Sequence, residues 1–187
     1  WEIKLLLADK LRSIEKYEES ILLYSAAINN DSILDKWVVF YSRGIAYERL
    51  NEWNKAEQDL KEAMKLEPND PYVINYLAYS WLDRKLNLTE ALDLLKKAVE
   101  IEPSDGYIMD SLGWAYYLTN SIDQSVYYLE KAVSLLPNDA TLNDHLGDAY
   151  WKLGRKEEAV SQWKRVLVIK PNFKKKEKVL KKIKNGI

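Results

Sequence analysis

Asp144, His145 and Asp148 fall within one turn and a half of a helical pattern, a carboxylate–imidazole–carboxylate set that suits a divalent metal or an acid–base pair. His145 is the only histidine among 187 residues, and there is no cysteine to complete a ligand set or form a disulfide. No nucleophile paired with a base accompanies it, and no glycine-rich phosphate loop. The set therefore reads as polarity on a helix face or as a hydrogen bond between neighbouring structural units. The chain is expected to be no enzyme, with no cofactor and no metal.

The elements that position these residues repeat along the chain. Four segments close alike, as Leu66-Glu67-Pro68-Asn69-Asp70, Ile101-Glu102-Pro103-Ser104-Asp105, Leu135-Leu136-Pro137-Asn138-Asp139 and Ile169-Lys170-Pro171-Asn172, with prolines 35, 34 and 34 residues apart. Each period carries a small residue followed by an aromatic three positions later: Gly44 and Tyr47, Ala78 and Trp81, Gly113 and Tyr116, Gly147 and Tyr150. A small–large–small run follows, as Ala56, Leu60, Ala63; Ala91, Leu95, Ala98; Ser125, Leu129, Ala132; and Ala159, Trp163, Val166. Residues three or four apart share a helix face, and a small one there admits a close partner helix while a large one fills the gap beside it. Proline ends each unit. Asp70, Asp105 and Asp139 stand where the next helix needs an N-cap, and Asn51, Asn120 and Gly154 where a turn tolerates left-handed backbone. One extra residue falls between Trp81 and Ala91, around Leu86-Asn87-Leu88, to be absorbed as a longer loop or as a tilt of the second helix. A divergent first unit is carried by Ala8, Leu11, Ser20, Tyr24 and Ala27, with Ser32 in place of the proline.

This grammar resembles the tetratricopeptide repeat (TPR) family over nearly the whole chain. The resemblance implies an all-α, right-handed superhelical solenoid of five helical hairpins, forming a single array over 1–187. The repeats span about 1–36 (divergent), 37–70, 71–105, 106–139 and 140–173, with a capping helix at about 174–185. Ten repeat helices plus the cap and no β-strand are expected, with turns near Asn51, Asn87, Asn120 and Gly154.

In this family the first helix of each hairpin lines a concave groove. Carried onto this chain, that places Tyr41, Ile45 and Glu48 in the groove from the second repeat, and Tyr72, Asn75, Tyr79 and Asp83 from the third. The fourth supplies Tyr107, Asp110, Trp114 and Tyr117, and the fifth Asp144, Asp148 and Trp151. Aromatic rings give large contact area at small entropic cost, and the carboxylates favour a Lys- or Arg-bearing ligand. The rival role for any one ring is to seal the seam between repeats. Family members that bind a terminal carboxylate use paired Lys, Arg and Asn, which this groove lacks, so that activity is not carried over.

The formal net charge of −1 conceals a polarity. Residues 164–187 carry ten Lys or Arg against the single acid Glu177, a net +9, leaving −10 on residues 1–163. The segment from Phe173 to Ile187 reads as a helix with Phe173, Val179, Leu180 and Ile183 on one side and lysines elsewhere. Its first role is to cap the array. Contact with anionic lipid or with another copy's acidic groove stays open, and nucleic acid is disfavoured because interleaved aromatics are missing.

No apolar stretch reaches bilayer-spanning length. The chain starts at Trp1 inside the first helical pattern, which reads as a fragment excised from a longer protein. Asp105 to Trp114 and Asn143 to Trp151 look like stretches of a bacterial TPR family whose members are often exported or lipoprotein-anchored. That resemblance implies a periplasmic or envelope-associated setting; without it the cytoplasm is the default. The function expected is a non-catalytic protein-interaction module or scaffold for a protein or peptide with basic and apolar residues. Two alternatives stay open: a self-associating homo-oligomeric assembly unit, and the recognition domain of a larger protein.

Overall fold

The computed structural model describes residues 1–187 and is all-helical. Five hairpins follow one another: α1 (Glu2–Ser13) with α2 (Tyr17–Ile28), α3 (Lys36–Arg49) with α4 (Trp53–Leu66), α5 (Pro71–Arg84) with α6 (Leu88–Ile101), α7 (Gly106–Leu118) with α8 (Ile122–Leu135), and α9 (Ala140–Leu153) with α10 (Lys156–Ile169). A last helix, α11 (Lys176–Asn185), closes the chain. The all-α class, the five hairpins and the terminal helix are as the repeat pattern implies.

One turn geometry recurs in all five hairpins. The backbone N–H of Lys16, Glu52, Leu86, Ser121 and Arg155 donates to the carbonyl of Leu11, Tyr47, Trp81, Tyr116 and Tyr150 respectively, each at 2.9 Å. The residue before each donor is left-handed: Glu15, Asn51, Lys85, Asn120 and Gly154, with φ between 55° and 90°. This bond satisfies a carbonyl that the helix end would otherwise leave bare. In the third hairpin the matching left-handed residue is Lys85, not Asn87. In the other hairpins the residue that closes the turn also starts the next helix; here Leu86 closes it and Asn87, at φ 44°, serves as the separate N-cap of α6. The extra residue is thus absorbed by splitting one job between two positions. The aspartates cap as expected. Asp70 accepts from the N–H of Tyr72 and Val73, Asp105 from Tyr107 and Ile108, and Asp139 from Thr141 and Leu142.

The helices form two compact units, Trp1–Leu77 and Ala78–Ile187. In the first, α1 packs on α2, α2 on α3 and α3 on α4. Its core joins Ala8, Tyr24, Ala27 and Val39, so the divergent first repeat folds as a true hairpin. A bidentate ion pair ties α3 to α4: Arg43 donates to both Asp59 oxygens at 2.7 and 2.8 Å, and to Ser25 Oγ of α2 at 2.9 Å. In the second unit, α6 to α11 pack in chain order and α7 also touches α9. The core there runs from Val126 and Leu129 through Leu146, Ala149 and Trp163 to Phe173 and Val179.

The small-over-large rule has direct geometric content. A Cβ placed on Gly113 would lie 2.7 Å from Leu129 Cγ, and one on Gly147 2.5 Å from Trp163 Cδ1. Both are far inside van der Waals contact, so each glycine sets how closely its hairpin closes. Gly113→Leu should cost roughly 1–3 kcal/mol or more by overpacking, with the loss spreading to the neighbouring hairpin. Thermal melting checks this, and an unchanged midpoint would contradict the contact.

Candidate partner-binding surface

In the unit of residues 78–187 three of the charged groove residues, Asp110, Asp144 and Asp148, are spoken for within the chain. His145 sits against Asp110, with Nδ1 at 2.9 and 3.0 Å from the two carboxylate oxygens, both residues about 3% exposed. Trp114 stacks on the imidazole at 4.2 Å and on Tyr117 at 4.5 Å, forming a three-ring layer between α7 and α9. The acid–base pair that the sequence suggests along one helix is therefore made between two helices, with Asp110 as the partner of His145. No cluster of metal-ligating side chains forms around it.

Asp144 and Asp148 are also buried, and both face α11. Lys182 Nζ donates to Asp144 Oδ1 at 2.7 Å and to Asp148 at 2.6–2.8 Å. Trp163 Nε1 donates to Asp148 Oδ1 at 3.0 Å. Burial pushes the Asp148 carboxyl above its ordinary value, although Lys182 pulls in the opposite direction. The expectation that the tail lysines all lie away from the apolar side fails at Lys182, which shares the buried face with Val179 and Ile183. Burying one ammonium is tolerated because two carboxylates meet it. Trp151 is half-buried, inclined to Trp163 at 5.5 Å, and it covers Gly186, where any Cβ would overlap its ring.

Tyr79 is partly buried, and burial, with Asp110 and Asp83 nearby, pushes its hydroxyl well up from the ordinary tyrosine value. Asp83 and Tyr107 are open to solvent.

The unit of residues 1–77 is different. Tyr41 meets Tyr76 edge-on at 5.7 Å, and Tyr76 lies 3.5 Å from Glu48. Tyr24 donates to Asp9 at 2.6 Å and accepts from Arg12 at 3.2 Å; burial and then Asp9 raise its hydroxyl to about 12. Around this core lie two adjoining concavities. One, of about 360 Å³, is lined by Trp1, Leu5, Leu34 and Val38 with the carboxylates Glu2, Asp9 and Asp35. The other, of about 420 Å³, holds Trp37, Val38, Tyr41 and Tyr72 with Asp9, Arg12 and Asp70. Leu34 is 92% exposed, Tyr72 51% and Val38 40%. Of the sequence-assigned residues, Tyr41 and Tyr72 share one wall. The apolar contribution of Trp37, Val38 and Leu34 was not legible, because it comes from the loop after the first repeat, where Ser32 replaces the usual proline, and from the first turn of α3 that follows.

Two measurements follow from the buried pairs. Burial alone would lower the His145 pKa, but Asp110 outweighs it and the net direction is up. A raised folded value means that the stabilisation is fully present below the unfolded pKa, about 6.5, and is lost as pH rises through the folded one. Urea unfolding of the native chain should thus lose stability with rising pH in a way that His145→Gln does not. Lys182→Met takes the shared cation from two buried carboxylates and should lower urea stability by up to the free energy that docks α11, whereas Lys181→Met, on the exposed face, should change it by less than about 0.5 kcal/mol.

Residues 37–70 and 140–173 match models described as tetratricopeptide repeat. No curated protein sequence matches the chain. Among solved structures, MamA 41-end from Desulfovibrio magneticus RS-1 aligns with TM-score 0.76 at 20% identity, covering 92% of this chain and 96% of that one. YrrB, described as a TPR protein with an unusual peptide-binding site, aligns with TM-score 0.70 at 18% identity over 95% and 90% of the two chains. A further MamA structure covers 100% of this chain and 95% of its own at TM-score 0.71 and 22% identity. The hairpins at 37–70 and 140–173 are tetratricopeptide repeats, set in a chain that shares the helical-hairpin fold of MamA and YrrB.

Proposed function

We propose that this chain is a non-catalytic protein-interaction module that holds a segment of a partner protein against the first helices of its hairpins. The residues at 1–77 form the accessible part of that surface. What supports this is the pair of adjoining concavities sharing Asp9, Val38 and Ser42. Their size and apolar walls suit bulky side chains. Glu2, Asp9, Asp35 and Asp70 against the single Arg12 favour a ligand with Lys or Arg beside those side chains. The unit of residues 78–187 offers a surface of its own, with Tyr107 and Asp83 open to solvent and Trp114, Tyr117 and Trp151 showing the partly exposed edges of packed rings. Asp110, Asp144 and Asp148 are paired inside the fold and take no part in that surface. The envelope-associated setting implied by the Asp105–Trp114 and Asn143–Trp151 stretches belongs to the same proposal. No helix of the chain is long and apolar enough to cross a membrane.

Selection of a random peptide library on the immobilised chain tests this. The peptides recovered should pair Lys or Arg with a large apolar residue. Their binding should weaken as salt rises, since exposed charges more than about 10 Å apart are screened at 0.1 M. Tyr72→Ala should cost about 1 kcal/mol or more without loss of fold, and Asp35→Asn should flatten the salt dependence. Selected peptides that are acidic, or indifferent to both substitutions, would overturn the proposal.

A further inference from the structure

The contact between α11 and the fifth hairpin has the construction of a ligand complex. One lysine enters a box of two carboxylates that is itself organised by an indole N–H. Lys182 Nζ reaches Asp144 and Asp148 at 2.6–2.8 Å, and Trp163 donates to Asp148 from beneath. The Trp163 ring lies 5.8 Å below the ammonium. Four residues on, Gly186 passes under Trp151 so closely that no side chain fits there. The side chains of Lys182, Asp144 and Asp148 are 16%, 5% and 11% or less exposed. Capping an array needs only apolar cover with a polar outer face; it does not need a lysine-shaped socket.

The occupant, by contrast, is poorly built to stay. α11 has ten residues, and Val179 alone among them is fully buried. Lys174, Lys175, Lys176, Lys178, Lys181 and Lys184 are exposed within eleven positions, relieved only by Glu177. Like charges three and four apart repel on a helix, and the three lysines at its start oppose the helix dipole. Leu180 is left 41% exposed. An element with few buried contacts opens before the rest of the fold. When it does, Asp144 and Asp148 lose their cation together.

The geometry points to a lysine-recognition site on α9 and α10, formed by Asp144, Asp148, Trp151 and Trp163, which α11 occupies in cis and from which a lysine-bearing amphipathic helix of a partner protein displaces it. The α11 sequence shows the ligand class: a lysine on the apolar side of a short helix, followed four residues later by glycine. The inference rests on the interaction-module proposal for the existence of a partner. Its site is separate from the concavities of residues 1–77, so each fails independently.

Hydrogen exchange on the full native chain, read by mass spectrometry, tests it, with a synthetic peptide of residues 174–187 as the probe. Residues 176–185 should exchange at least about tenfold faster than α9. A tethered helix is present at an effective concentration on the order of millimolar, so the peptide at several millimolar should speed exchange in α11 while α9 and α10 keep their protection. The same peptide carrying Lys182→Met should have no effect. In the full chain bearing Lys182→Met, where the resident helix is weakened, the unmodified peptide should bind at least about tenfold tighter than to the native chain. Tyr72→Ala should change none of these readings. The inference is overturned if α11 is as protected as α9, if the two peptides act alike, or if excess peptide leaves α11 exchange unchanged. Should the Lys182→Met chain fail to fold, the comparison of the two peptides on the native chain decides.

Discussion

Trp163 under Gly147 is the contact from which the ordering of the fifth hairpin and everything beyond it follows. Because Gly147 has no Cβ, α9 and α10 close until the indole lies where a side chain would have been. That position aims Nε1 at Asp148, which fixes one carboxylate of the pair that receives Lys182. Lys182 in turn seats α11, whose Val179 completes the core that Trp163 began. A packing rule that looks purely steric at the level of the repeat thus becomes electrostatic two steps later. The second and fourth hairpins use the same approach, through Gly44 and Gly113, without that consequence. Leu129 beneath Gly113 has no polar atom to pass on, and there the neighbouring carboxylate, Asp110, is met by His145 of the next hairpin instead.

Counting charges along the chain gives a misleading electrostatic picture. The sequence divides into −10 and +9, which suggests an acidic groove awaiting a basic ligand. Three of the acids meant to line it are buried in ion pairs, two of them with a single lysine drawn from the basic end itself. Desolvated carboxylates are costly unless paired, so the fold cannot keep them both buried and vacant. Carboxylates that remain at the surface, such as Asp35 and Glu2, are hydrated and cost little to leave open. Charge recognition at the concavities of residues 1–77 therefore belongs to them.

What was legible in the sequence was whatever depends on short range. The aspartate caps, the small-over-large pairs and the hairpin count all follow from residues a few positions apart, where helical geometry leaves little freedom. The turn expected near Asn87 lies there with Asn87 left-handed, but it carries a second left-handed residue, Lys85, and the backbone hydrogen bond of Leu86 makes Lys85 the counterpart of the turn residues in the other hairpins. Among the proposed site residues, Tyr41 and Tyr72 do meet on one surface. Asp110, Asp144 and Asp148 could not be separated from them by pattern, since a residue on the first helix that faces the next hairpin lies only a fraction of a turn from one facing solvent. Lys182 was hidden for another reason: lysine is solvated by default, and only its spacing of three from Val179 hinted otherwise.

The burial of Lys182 has an electrostatic reason. A carboxylate pair on the final hairpin cannot be left dry and empty, so the fold must either expose it or supply a cation from its own end. Supplying the cation on a short, self-repelling helix satisfies the desolvation requirement while keeping the occupant weakly held. A more stable cap, apolar throughout, would have removed the need for the aspartates altogether. The combination of a well-organised socket with a marginal resident helix is what a replaceable contact requires, and it places the chain's two charge extremes in competition with any partner of similar chemistry.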